Sequence, residues 1–151
     1  MSCGGLPSGG VLIQRNEQGA EVTAKTRGEI EAGIGTAVVQ IQRRITGRGP
    51  RCSIAHLSGA QLVVRLLGGL TPAEEHLLKC SCGQEKCRET EVVRELRRAL
   101  FDASRNQLEQ VVREVTGIHA ATIHYRWLSE TLEEEIIIEL SETPLTRSKM
   151  T

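Results

Sequence analysis

From position 92 to 115 apolar residues return every three or four places, at Val92, Val93, Leu96, Ala99, Leu100, Ala103, Leu108, Val111, Val112 and Val115. That period puts one continuous stripe on one side of a helix. Arg94, Glu95, Arg97, Arg98, Glu109 and Arg113 fill the intervening positions and are expected on its solvated side. Gly117 is placed to end the helix in a left-handed cap. A helix over Glu89–Thr116 would be roughly 40 Å long at about 1.5 Å per residue. Such a length predicts a bend near Asp102–Asn106, and a helix that crosses a whole sheet or reaches a partner subunit.

The same period recurs in Ile30, Ile34, Ala37, Val38, Ile41 and Ile45, predicting a helix over 29–45 with Thr46-Gly47 as its stop. Gly33 and Gly35 weaken its first turns unless they permit close packing. Two alternating stretches follow, Cys52–Leu57 and Gln61–Leu67, joined by a Ser58-Gly59-Ala60 hairpin turn. Both faces of the second are apolar, so one is expected against helices and the other against a partner. Thr71-Pro72-Ala73-Glu74 carries an N-cap, a first-turn proline and the reciprocal capping acid, which predicts a short helix through Leu78.

After the long helix, Ile118–Leu128 alternates with Ile123, Tyr125 and Trp127 on one face and His124 and Arg126 on the other. Glu133–Leu140 follows with Ile136, Ile138 and Leu140 inward and Ile137 outward. Glu133, Glu134, Glu135 and Glu139 mark that strand as a charged, protected edge. Ile45-Thr46-Gly47 and Val115-Thr116-Gly117 each precede two strands, a weak echo that reads either as a duplicated unit or as a common helix stop used twice. The pattern predicts an α+β fold of two pseudo-duplicated helix–strand–strand units. They form a four-stranded, mainly antiparallel sheet packed against two principal helices. Residues 1–26, rich in glycine and polar side chains, read as a flexible arm in which Val11–Ile13 is at most an edge strand. Residues 27–140 read as the single domain and 141–151 as a tail.

Composition narrows the function. The 151 residues hold 19 Lys+Arg and 19 Asp+Glu, a formal net charge of +0. Neither that balance nor an aromatic content of 2% suits a nucleic-acid partner. No apolar run is long enough to span a bilayer, and Met1–Gly10 lacks the basic start and apolar core of a signal peptide. A cytoplasmic protein with mostly reduced cysteines is expected.

Three features carry candidate chemistry. Cys80, Cys82 and Cys87 stand in a loop just before the long helix, in a C-x-C spacing followed by a third cysteine. Three thiolates there can converge on zinc, with His76 as the nearest fourth ligand and Cys52 or Cys3 as others. They can equally form a disulfide from Cys87 to Cys80 or Cys82, with Lys79, Lys86, Arg88 and the helix N-terminus favouring thiolates. The third reading is free thiols in a surface turn. In Gly47-Arg48-Gly49-Pro50-Arg51, the pair Arg48 and Arg51 with the backbone around Gly49 either receives an anion or partner, or simply makes a turn. His56 and His124 hold similar places in the two halves and would form a histidine-lined cleft if they met across the sheet. No serine turn, Cys–His–acid set or paired carboxylates accompanies them, so catalysis is not the expected activity.

Taken together, Ala37-Val38-Val39, Gly47-Arg48-Gly49-Pro50, Gly69-Leu70-Thr71-Pro72-Ala73-Glu74 and Val115-Thr116-Gly117 resemble the MpsC/YbcI-like family over about residues 28–140. Members are associated with a Na+-translocating, membrane-potential-generating or inorganic-carbon-uptake system. The resemblance implies a soluble accessory or regulatory protein, peripheral to the membrane through a membrane-protein partner, and it transfers no catalytic residues. The cysteine loop departs from the family pattern, which has a shorter segment there without these cysteines. Self-association, a dimer first of all, is expected from the apolar strand face and the length of the helix.

Overall fold

The computed structural model describes residues 13–15, 21–23, 25–80 and 87–147. Within what was expected to be a loose arm, β1 (Ile13–Arg15) and β2 (Glu21–Thr23) pair antiparallel. The domain then runs α1 (Arg27–Thr46), β3 (Cys52–Ser58), β4 (Gln61–Leu67), α2 (Pro72–Lys79), α3 (Arg88–Thr116), β5 (Ala120–Leu128) and β6 (Glu133–Leu140). It is an α+β fold in which the helices lie against one antiparallel sheet of order β3-β4-β6-β5.

That order follows from two like units. Hairpin β3–β4 and hairpin β5–β6 meet through the antiparallel β4–β6 pair, so a pseudo-twofold axis passes between the two middle strands. The helix ends show the duplication in atomic detail. Thr46 Oγ1 donates to Gln42 O and to Arg48 O, and accepts from Arg48 N. Thr116 Oγ1 makes the same set with Val112 O, Ile118 O and Ile118 N. Gly47 and Gly117 then adopt φ of 79° and 76°. A Cβ on Gly47 would meet nothing within 4 Å, so only the left-handed backbone resists a side chain there. Gly47→Ala is therefore expected to cost about 1 kcal/mol in a urea titration, and Gly47→Asn distinctly less.

Alternation decides which side of the sheet is covered. Leu62, Val64 and Leu66 of β4 and Ile136, Ile138 and Leu140 of β6 are buried, as are Ile123, Tyr125 and Trp127 of β5. They meet Ile30, Ile34 and Val38 of α1 and Val93, Phe101, Leu108 and Val112 of α3 in one core. Gly35 brings α1 down onto β3, since a Cβ there would sit 3.1 Å from Ser53 Oγ, and Gly33 brings it against Val115 of α3 at 3.2 Å. The two glycines thus trade helix propensity for close approach.

Two expectations are corrected. The first concerns the acidic strand. β6 is an inner strand, hydrogen-bonded to β4 and β5, rather than an edge. Its acids are tolerated because each inner one has a cation. Glu133 pairs with Arg65 at 2.7 Å and Glu135 with Arg126 at 2.7 Å on the open face, while Glu134 points inward. The real edges are β3 and β5, and helix side chains guard both. Arg98 and Arg105 of α3 donate to the carbonyls of Tyr125 and Ile123 at 3.1 Å, and Glu31 of α1 accepts from Leu57 N at 2.8 Å.

The second correction is the face of α3. The helix is 29 residues long and continuous through Asp102–Asn106, about 43 Å at 1.5 Å per residue. Its buried face is Thr90, Val93, Arg97, Phe101, Ser104, Leu108, Val112 and Thr116. Val92 and Leu96 stand 41% and 43% exposed, and Ala99 and Ala103 are exposed beside them. The apolar stripe was read slightly off the core, and the position given to solvent, Arg97, is inside. The tail is also tied down as far as Arg147: Pro144 is buried, and Arg147 N donates to Lys25 O at 2.9 Å.

Candidate functional site

The predicted histidine cleft does not form. His56 lies on β3 and His124 on β5, the two opposite edges. They share one row of the sheet through Val63 and Ile137, so three strand spacings, about 14 Å, separate them. Both are exposed on the face away from the helices.

The Gly47–Arg51 turn packs against the Gly68-Gly69 bend that follows β4. Gly68 has φ 75°, and a Cβ on it would meet Arg51 Cβ at 2.8 Å. A Cβ on Gly49 would meet the Arg43 guanidinium at 3.1 Å. Arg51 N donates to Leu67 O at 2.7 Å. These glycines let two loops and two arginine side chains cross closely, and Arg48 and Arg51 remain exposed.

At the cysteine loop, residues 81–86, including Cys82, lie outside the described residues. His76 and Cys80 are neighbours one turn apart at the end of α2, with Nε2 and Sγ 3.8 Å apart. Cys80 and Cys52 are exposed free thiols. Cys87 is the N-cap residue of α3, buried and disulfide-bonded; its partner lies outside the described residues. Among the described residues no three His, Cys, Asp or Glu side chains are gathered as metal ligands.

The densest chemistry lies elsewhere, where α2, α3 and β6 converge. Arg97 is 2% exposed, Glu74 1% and Glu134 5%. The Arg97 guanidinium grips Glu74 with two hydrogen bonds, Nε to Oε2 at 2.8 Å and Nη2 to Oε1 at 2.5 Å. It reaches Glu134 Oε2 through Nη1 at 2.6 Å and Gly69 O through Nη2 at 2.6 Å. Gln42 of α1 donates to the other oxygen of Glu134. Glu74 serves twice, because its Oε1 also accepts from Thr71 N and Thr71 Oγ1 in the capping box of α2. The Gly-Leu-Thr-Pro-Ala-Glu segment is thereby a device that caps a helix and delivers a carboxylate to a buried arginine.

The electrostatics follow from two acids and one base held out of water. Burial works against the charge on Arg97, but its hydrogen bonds to Glu74 and the charges of Glu134 and Glu74 outweigh it, so its pKa is raised. Burial pushes the Glu134 carboxyl above its ordinary 4.5, although Arg97 and Gln42 pull the other way. Burial also drives the Tyr125 phenol well above its ordinary 10, with the Glu134 charge adding to it. Tyr125 is 4% exposed, and its ring stacks on Phe101 at 4.7 Å.

A pocket opens onto this centre between α1 and α3. Its floor includes Arg97, Tyr125, Glu134 and Ile136, its walls Val38, Ile41, Phe101 and Leu108, and its rim the partly exposed Gln42, Ile45, Thr46 and Leu100. It encloses about 420 Å³ counting the open mouth. Two polar atoms of its lining residues, Tyr125 Oη and Gln42 Oε1, are buried without a hydrogen-bond partner, and Gln42 Oε1 lies toward Gly69.

Sequence reasoning placed Glu74 at its cap but not in this centre, and missed Gln42, Arg97 and Glu134 as its members. A signal was present. Arg97 sits four residues after Val93 and four before Phe101 on one helical face, and Glu134 falls in phase with Ile136 and Ile138 on one strand face. Two opposite charges, each in phase with a core, announce a buried pair.

A family model described as "Na+-translocating membrane potential-generating system (MpsC)" matches residues 26–142. Neither the curated proteins nor the solved structures contain a match to this chain. No helix among the described residues is long and apolar enough to cross a membrane.

Proposed function

The chain belongs to the MpsC family of the Na+-translocating membrane potential-generating system, and we propose on that premise that it is a non-enzymatic accessory or regulatory protein of such a system, acting beside a membrane-embedded partner. The observation that carries this reading is the extent of the match. Residues 26–142 run from the N-cap of α1 to just past β6, so the family is defined by the whole domain and not by a fragment. The exposed Val92–Leu96–Ala99–Ala103 stripe on α3 supports a binding role, since a lone helix face of that kind gains by being covered.

The test is made in the native cell. Deleting this protein while keeping the membrane components should lower the Na+-dependent membrane potential read by a voltage-sensitive dye. Re-expression should restore it, and Leu96→Glu should not, while still folding as judged by circular dichroism. An unchanged potential in the deletion strain would sink the proposal.

A second reading concerns the loop before α3, as a thiol- or zinc-responsive element. It is favoured by the His76–Cys80 approach and by the disulfide at Cys87. The two chemistries exclude one another at Cys87, because a sulfur in a disulfide is not a thiolate ligand. Thiol titration and metal analysis on protein purified under reducing conditions separate them. A zinc site gives one equivalent of metal lost on Cys80→Ser, and a redox site gives no metal and a disulfide that forms and breaks within the cellular range of potential. No metal together with redox-inert thiols removes both.

A further inference from the structure

Strand β3 is an edge that the fold leaves partly open. Its hairpin turn has two residues, so Ser58 and Gln61 exchange hydrogen bonds, and by alternation so do His56, Ile54 and Cys52 with their β4 partners. The N–H and C=O groups of Ser53, Ala55 and Leu57 therefore face outward. Glu31 takes the amide of Leu57 at 2.8 Å, and at the other end Arg51 N is engaged by Leu67 O. Between them, among the described residues, nothing is hydrogen-bonded to the outward groups of Ser53 and Ala55. The like edge of the other unit is closed. Counted from Thr46 and Thr116, Gly28 and Gly35 of α1 stand where α3 has Arg98 and Arg105. Ser53 and Ala55 stand where β5 has Ile123 and Tyr125. Those two arginines are the ones that donate to the carbonyls of β5. With glycines and small side chains in their places, a groove of about 690 Å³ runs between α1 and β3, walled by Ala32, Thr36 and Val39 on one side and Ser53, Ile54 and Ala55 on the other.

We infer that this edge is where two copies of the chain join, β3 pairing antiparallel with β3 of a second copy across a twofold axis at Ile54. The outward groups fix the register. Ser53 of each copy faces Ala55 of the other, and each pair exchanges both its N–H···O bonds, which is all that the engaged Leu57 and Arg51 amides leave available. Ile54 then stands opposite Ile54 of the second copy as a pair without hydrogen bonds, the kind in which Cα atoms lie about 4.5 Å apart and side chains touch. That contact covers an apolar side chain that is 49% exposed in the single chain. Charge agrees with the same register. Leu57, whose amide Glu31 holds, falls opposite Arg51 of the second copy, so the acid at one end of each groove meets the base at the end of the other. Ala32, Thr36 and Val39 are slender enough for the two α1 helices to lie close above the joint. Because the contact is isologous, it uses up this edge in both copies and does not propagate.

Sedimentation equilibrium on the full chain should find a dimer at micromolar concentration. Ala55→Pro should raise its dissociation constant at least tenfold, because the proline removes an N–H that points out of the sheet and crowds the space of the added strand. The pairing of β3 with β4 does not use that N–H, so the variant should keep its circular dichroism. A covalent test needs no weakened fold. Ile54→Cys in a Cys52→Ser background should oxidise to a linked dimer, since paired positions about 4.5 Å apart at Cα are within disulfide reach. Peptide mapping should show the bond joining position 54 of one copy to position 54 of the other. With Cys52 left in place, His56→Cys should link to Cys52 of the second copy, and should lose that link when Cys52 is serine. The inference is overturned if the protein is monomeric at tens of micromolar. It is equally overturned if Ala55→Pro dimerises as tightly as the parent while Leu96→Glu does not, which would place the contact on α3, or if Ile54→Cys forms no bond between the two copies of position 54.

Discussion

Arg97→Met is expected to destabilise the domain by about 3–5 kcal/mol at neutral pH, the usual effect of removing one member of a buried ion pair. Methionine has nearly the volume and flexibility to follow the arginine stem, so the loss reports charge and not a hole. What it leaves behind is Glu74 and Glu134, 1% and 5% exposed, with the guanidinium that joined α3 to α2 and β6 gone. Acid neutralises the stranded carboxylates, so the loss should shrink steadily as the pH is lowered toward 4 in paired urea titrations of variant and parent. Adding Glu74→Gln and Glu134→Gln should recover most of it, because the penalty is an uncompensated charge and not the absence of the arginine itself. A loss below 1 kcal/mol at pH 7, or one that is the same at pH 4, would show that the guanidinium is not the counter-ion of this centre.

Glu134 gives one contribution of definite sign to the parent's own pH dependence. Its carboxyl is held above the ordinary 4.5, with burial as the largest cause. The folded state therefore disfavours its ionisation relative to the unfolded chain. Its contribution is fully present below about 4.5 and is lost as the pH rises through the raised value. Glu134→Gln, which keeps an oxygen for Arg97, flattens that slope. If the slope is unchanged, another group causes it.

Most of the fold could be read from the chain because most of it is periodic. β6 was bounded at Glu133–Leu140 by alternation alone, and the Thr71–Glu74 capping box announced α2. The repeated Thr-Gly after each principal helix was a weak sign of two like units, equally readable as a common helix stop, and Thr46 and Thr116 carry the same hydrogen bonds because the same geometry is needed twice. The candidate site was far less legible. Its members are charged residues, and single-sequence reasoning sends charge to solvent unless a partner is in view. Arg97 meets Glu74 across 23 residues and Glu134 across 37, and such pairs appear only once the sheet order is known. The same ignorance made β6 an edge. Nothing local in Glu133–Glu135 tells that Arg65, Arg97 and Arg126 stand ready on three other elements. The His56–His124 idea failed for a topological reason too: like positions in two units related by a twofold lie farthest apart when they belong to the outer strands.

The largest purely apolar effect is expected in the middle of the sheet. Ile138 is 0% exposed and lies between Leu62 of β4 and Ile123 of β5 in register, all three on the helix side. Ile138→Ala should cost about 2–5 kcal/mol, the transfer of the lost carbons plus the cavity they leave among side chains that cannot close around it. Its neighbour Ile137 points the other way, between Val63 and His124, and is only partly buried. Ile137→Ala should therefore cost no more than about 1 kcal/mol, in proportion to the smaller area it hides. The contrast between adjacent isoleucines measures how completely one face of the sheet is closed and how open the other is. Helices cover only one side, and the other shows Ile54 at 49% exposure beside paired ions. If Ile137→Ala proves as costly as Ile138→Ala, and the cost grows with protein concentration, then the open face is covered in solution by a second copy. An Ile137 effect that is small and independent of concentration leaves that face free, and the self-contact stays at the β3 edge.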